Sequence, residues 1–118
     1  MGTLQIKRVY EPAEKGDGIR ILVDRLWPRG MKKETAQLTQ WMKAIAPSTD
    51  LRKWFDHDPA KWEQFCLKYT LELQQNSAVE NLLKLIKENK MVTLLYAAHD
   101  GRYNHAIVLQ QFINEVTK

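Results

Sequence analysis

The sequence predicts one α/β domain, a short, mainly parallel sheet flanked by helices, within its 118 residues. Three observations predict it. Met91–Ala98 is an unbroken apolar run, Met-Val-Thr-Leu-Leu-Tyr-Ala-Ala, whose length and β-branched members suit a strand covered on both faces. Ile19–Leu26, with Ile19, Ile21, Leu22 and Val23, reads as a second buried strand. The stretches between and after these two place apolar residues at spacings of three and four, the period of amphipathic helices.

In chain order, Leu4 to Tyr10 alternates in the manner of a half-exposed strand. Glu11-Pro12 and Gly16-Asp17-Gly18 then break it. The second strand closes on Asp24-Arg25-Leu26-Trp27-Pro28-Arg29-Gly30, where Pro28 and Gly30 forbid further pairing. A helix is expected from Glu34 to Ala46, with Leu38, Trp41, Met42 and Ile45 on one face and Pro47 as its stop. Ser48 caps a short helix carrying Leu51, Trp54 and Phe55, with Asp50 favourable in its first turn. Asp58-Pro59 is a start signal, an N-cap carboxylate followed by proline, for a helix through Trp62, Phe65, Cys66, Tyr69 and Leu73. Ser77 with Glu80 reads as a capping box before Val79, Leu82, Leu83 and Ile86. After the Met91–Ala98 strand, His99-Asp100-Gly101-Arg102 forms a loop, and Ala106, Leu109, Phe112, Ile113 and Val116 mark a last helix. Trp41, Trp54, Phe65 and Leu94 are expected in the core.

Composition bounds the function. Apolar types make up 44% and charged types 27%, an ordinary globular balance. No apolar run approaches the roughly 20 residues that span a bilayer, and the opening residues lack a hydrophobic signal segment. With Cys66 alone, no internal disulfide can form, and a cytoplasmic location is expected. The net charge of +4 favours acidic partners, but the lysines are scattered and form no dense block.

In open α/β sheets ligands bind beyond the carboxyl ends of the strands, where helices begin. Two such ends are legible, Asp24–Gly30 and His99–His105. If the strands are parallel neighbours the two loops lie side by side, bringing arginines, histidines and a helix N-terminus together. Arginine forks and helix-terminal amides suit a phosphate, sulfate or carboxylate. Arg25 and Arg29 would clamp the anion, Arg52 would reach it from the short helix, and Asn104 would donate a hydrogen bond. His105 or His99 would give or take a proton, and Asp24 would orient an arginine or histidine. Plainer readings stand beside these: Arg25 paired with Asp24 or a helical acid, Asn104 only a helix cap, and His57 part of a helix entrance. No cofactor is predicted. His57, His99, His105 and Asp100 form a candidate metal set without any recognised ligand spacing. Cys66 reads as inert, and neither a Gly-rich nucleotide loop nor a serine elbow is present.

The segments together carry a resemblance. Arg8-Val9-Tyr10-Glu11-Pro12, then Gly18 to Gly30 with its Asp-Arg-Leu-Trp-Pro-Arg-Gly run, resemble the opening of the YeaO-like bacterial family, domain of unknown function 488. So do Ala46-Pro47-Ser48, Leu51 to Asp58, the Trp62-Phe65-Tyr69 helix, and Thr93 to Ala98 leading to Asn104-His105-Ala106. The resemblance carries no established activity with it. It implies broader relatives in which the last strand holds a cysteine and a Cys-His-Arg triplet opens the last helix. Here Tyr96 and Asn104-His105-Ala106 stand at those places, so thiol chemistry is not expected. Two functions remain open at this point. One is an enzyme-like or ligand-binding domain holding a small anion; the other is a nucleic-acid-binding or regulatory module with a basic face.

Overall fold

The computed structural model describes residues 2–118. Its four strands run parallel in the order β1-β4-β2-β3. Strand β1 (Thr3–Arg8) pairs along its whole length with β4 (Met91–Tyr96), from Thr3 opposite Met91 to Arg8 opposite Tyr96. Strand β2 (Ile19–Leu22) lies on the other side of β4, and the two-residue β3 (Gln40–Trp41) edges the sheet. The apolar run therefore holds the central strand, and Val92–Tyr96 are all buried. A strand paired on both sides and covered on both faces has no room for a solvated side chain.

On one face Ile21, Val23, Val92, Leu94 and Tyr96 meet the helices α2 (Thr49–Phe55), α3 (Trp62–Gln74), α4 (Ala78–Glu88) and α5 (His105–Val116) in the main core. Phe65 and Leu94 are buried there, whereas Trp54 is half-buried at its margin. The opposite face carries a smaller cluster of Val9, Leu22, Ala36 and Leu95, against which Trp27 and Trp41 lie. At the far end of that face sits a polar anchor. Buried Arg20 binds Asp17 and the Ala36 and Gln37 carbonyls, and Lys7 reaches the same carboxylate at 3.1 Å. Gly18 makes the anchor's turn with φ +63, and a Cβ there would fall 2.3 Å from the Met91 carbonyl oxygen, so only glycine fits.

Several elements match the sequence reading. Ser48 Oγ accepts from Leu51 N at 3.1 Å to cap α2, and Asp58 Oδ1 accepts from Ala60 N at 3.0 Å. The turn that Asp58 caps, Pro59–Lys61, is a 3-10 helix that runs directly into α3.

Three elements differ. The helix expected over Glu34–Ala46 is instead a short helix α1 (Lys33–Ala36), strand β3 and a 3-10 turn at Lys43–Ile45. Gln37, left-handed at φ 46, ends α1. The free edge of β2 then captures the chain: Thr39 N donates to the Arg20 carbonyl and Met42 N to the Leu22 carbonyl, both at 2.8 Å. Leu38 and Trp41 serve the small cluster, Met42 and Ile45 the main core. One helical face could not reach both sides of the sheet. Strand β2 ends at Leu22 rather than Leu26, although Val23 N still donates to the Leu95 carbonyl at 3.0 Å. Finally, Ser77 already has helical angles and makes no capping bond; Asn76 Oδ1 accepts from Ala78 N at 2.9 Å in its place. Among the described residues no helix is long and apolar enough to cross a membrane.

Candidate ligand-binding cleft

Because β2 and β4 are adjacent and parallel, the loops that leave them emerge side by side. Between these loops and α2 opens a cleft of about 530 Å³, within the range of small-molecule sites. It contains every residue singled out from the sequence: Asp24, Arg25, Arg29, Arg52, His99, Asn104 and His105 all line it. They differ in what their polar atoms already do.

Asp24 and His105 join the two loops. Asp24 Oδ2 accepts from Ala97 N at 2.9 Å. His105 Nε2 lies 3.0 Å from the Val23 carbonyl oxygen and 3.0 Å from Asp24 Oδ1. Both neighbours are acceptors, so Nε2 carries the proton. Asp24 Oδ1 is closed off from solvent and has no well-aligned hydrogen bond, the N–H being aimed mainly at the carbonyl. Aspartate thus orients histidine, and the ring is held against the sheet with its edge toward buried Tyr69, centroids 6.2 Å apart. Tyr69 in turn donates to the Ile45 carbonyl at 2.7 Å, and burial pushes its hydroxyl well above the ordinary tyrosine range.

Arg25 pairs with neither Asp24 nor a helical acid. Its Nε and Nη2 each donate, at 3.1 Å, to the Pro47 and Ala46 carbonyls, tying the strand-end loop to the segment before α2. That segment is anchored again by Glu72, which accepts from Ser48 N at 2.8 Å and Ser48 Oγ at 2.6 Å. Asn104 is buried and occupied at both ends of its amide. Oδ1 caps α5 by accepting from Ile107 N at 3.1 Å, and Nδ2 donates to the Asp100 carbonyl at 2.9 Å. Asp100 Oδ1 accepts from Arg102 N at 2.8 Å and Tyr103 N at 3.1 Å, and those bonds hold its carboxyl below the usual range.

Arg29, Arg52, His57 and His99 are exposed members of the lining, together with Tyr10, Leu26 and Asp100. The Arg29 carbonyl accepts from Tyr10 Oη at 2.8 Å, which ties the loop backbone to the segment after β1. His99 Nδ1 stands 3.5 Å from Arg8, whose Nε and Nη2 brace the loop after β4 through the Ala98 and Ala97 carbonyls at 2.9 and 3.2 Å. His57, read from sequence as part of a helix entrance, lines the cleft from the end of α2 with φ 55, next to Asp56 at φ 44. Two consecutive left-handed residues without glycine store strain beside the site. Apolar side chains, among them Phe55, Phe65, Pro28 and Pro47, form the buried walls.

Sequence reasoning gave no site role to Arg8, Tyr10 or Tyr103, although Arg8 and Tyr10 stand in a stretch that carries the resemblance and Tyr103 in the His99–His105 loop; each reaches the cleft through the pairing of β1 with β4 or through the α5 entry loop. Among the described residues no three of His, Cys, Asp and Glu come together in a way that could hold a metal ion. Cys66 lies away from the cleft, half-buried against the core, where burial raises its thiol pKa.

Comparison with known proteins gives a consistent family and no activity. Over residues 3–118 the chain matches the family described as "Inactive DUF488-N3 subclade". It is 45% identical over 113 residues to the Escherichia coli (strain K12) protein named "Uncharacterized protein YeaO", covering 96% of this chain and 98% of that one. It is 37% identical over 111 residues to "Uncharacterized protein Rv3073c" of Mycobacterium tuberculosis (strain H37Rv), covering 94% of this chain and 93% of the relative. No solved structure matches.

Proposed function

Since the chain belongs to the YeaO-like DUF488 family, and within it matches the subclade described as inactive, we propose that it is a non-catalytic binding domain for a small anionic ligand. The ligand sits at the carboxyl ends of β2 and β4. The observation that carries this reading is the asymmetry of the cleft's charges. Three arginines line it against two aspartates, and both aspartates are engaged by protein N–H groups. Arg29 and Arg52, by contrast, are exposed where they line the cleft. Arginines that outnumber the carboxylates around them suit a phosphate or carboxylate.

Two further features favour binding over catalysis. The Nε2 of His105 is spent on the Val23 carbonyl and Asp24, leaving the ring a bridge between β2 and α5. The strand position that resembles a cysteine site in broader relatives holds Tyr96, buried, with its hydroxyl pKa raised by that burial. The nucleic-acid reading calls for a broad basic face with exposed tryptophan. All four tryptophans are half-buried, and Trp27 and Trp41 direct their indole N–H groups to the Met31 and Asp24 carbonyls at 2.8 and 2.7 Å.

Thermal melts at matched ionic strength test the proposal. Phosphate or sulfate should raise the melting temperature more than chloride, because a ligand of the folded state stabilises it by mass action. Arg29→Ala should abolish that difference while leaving the melt in chloride unchanged. Equal responses to phosphate in the variant and the parent would remove Arg29 from the site, since general salt effects act on both alike.

A further inference from the structure

The cleft is larger and more apolar than an inorganic anion needs. Its buried walls, Phe55, Phe65, Pro28 and Pro47, carry no charge, while Arg29 and Arg52 stand exposed at its mouth. The two phenylalanines stack with centroids 4.3 Å apart, and Tyr103 turns its ring toward Trp62 at 5.4 Å beside them. An inorganic phosphate bound to the exposed arginines would leave the apolar part of the cleft unfilled and gain only the small energy of a solvated ion pair. A volume of about 530 Å³ accommodates a ligand of one or two rings.

We propose that the natural ligand is an organic anion with a planar apolar body in the cleft, over the Phe55–Phe65 floor and beside Leu26, Ala98 and Tyr103, and a phosphate or carboxylate held at the mouth by Arg29 and Arg52. The inference rests on the anion-binding reading and adds the chemical class of the ligand. Apolar surface removed from water supplies the affinity, and the exposed arginines select the charged end and orient it. The closed-off Asp24 Oδ1 takes no part, because solvent cannot reach it.

Isothermal titration at matched ionic strength with phenyl phosphate, benzoate, inorganic phosphate and phenol separates the contributions. Phenyl phosphate and benzoate should each bind at least about tenfold more tightly than either inorganic phosphate or phenol. Inorganic phosphate equal to phenyl phosphate would overturn the inference while leaving the anion site standing. Phenol equal to the aromatic anions, or no saturable binding by any of the four, would overturn both. Ala98→Phe, which places a ring in the cleft, should erase the advantage of phenyl phosphate over inorganic phosphate; an unchanged advantage would overturn the inference. Should that variant fail to fold, Arg52→Ala serves instead. It should weaken phenyl phosphate and benzoate and leave phenol unaffected, and equal loss for phenol would count against the assigned orientation.

Discussion

His105 shows how one side chain can look catalytic in sequence and act structurally in the fold. It opens α5 after the most buried strand, a placement suited to acid–base chemistry, yet its Nε2 proton is committed to the Val23 carbonyl and Asp24. Truncation would remove the N–H that the buried Val23 carbonyl accepts at 3.0 Å. His105→Ala should therefore destabilise the domain by about 1–3 kcal/mol, the cost of leaving a buried acceptor unpaired. Urea unfolding checks this, and a change below about 0.5 kcal/mol, the scale of a neutral surface substitution, would show that the bridge is idle. The neighbouring roles were only partly legible. The sequence placed Asp24, Arg25 and Asn104 at the strand ends, but it could not show that their polar atoms would be used by main-chain partners. The partners of Asp24 and Arg25, at Ala97 and Pro47, are set by tertiary approach, whereas Asn104 makes the local helix cap that the sequence also offered.

Elements were legible where one residue type dictates the outcome. The Asp58-Pro59 start, the Ser48 cap and the apolar run of β4 each follow from local chemistry. The Glu34–Ala46 segment was not, because spacings of three and four serve a helix and also a strand and turn that feed opposite faces of a sheet. What decides there is the open hydrogen-bonding edge of β2, and no single-chain periodicity reveals it. The polar anchor at the start of β2 governs the same region. Burial alone would raise the Asp17 pKa, but hydrogen bonds from Glu14 N, Lys7 and Arg20 outweigh it and bring the carboxyl below 3.8. Lys7 gains correspondingly, rising above 10.5 as its contacts to Glu14 and Asp17 outweigh desolvation. A depressed carboxyl contributes stability that is fully present above its unfolded pKa and lost as pH falls through the folded one. Asp17→Asn should thus cost about 3 kcal/mol near neutrality, by leaving buried Arg20 without its carboxylate. The gap between variant and parent should narrow as the pH drops below 3.8. Unfolding measured across that range checks it; a gap independent of pH would mean that the carboxylate charge is not what holds the anchor.

At the scale of the whole molecule, the order of elements was readable because a continuous apolar run can be satisfied only at the centre of a covered parallel sheet. The cleft followed from that order, since adjacent parallel strands deliver their loops to one end. Its depth did not. The Phe55–Phe65 wall and His57 come from α2 and α3, which the sequence places in the core without showing that they border an opening. The site therefore stands where three segments distant in sequence meet. Backbone amide NMR during titration with phenyl phosphate tests this placement most directly. Saturable shift changes should concentrate in Asp24–Gly30, Arg52–His57 and Ala97–His105, with little response across α4. Changes scattered over surface lysines, or centred on α4 and the polar anchor, would contradict a binding site at the carboxyl end of the sheet.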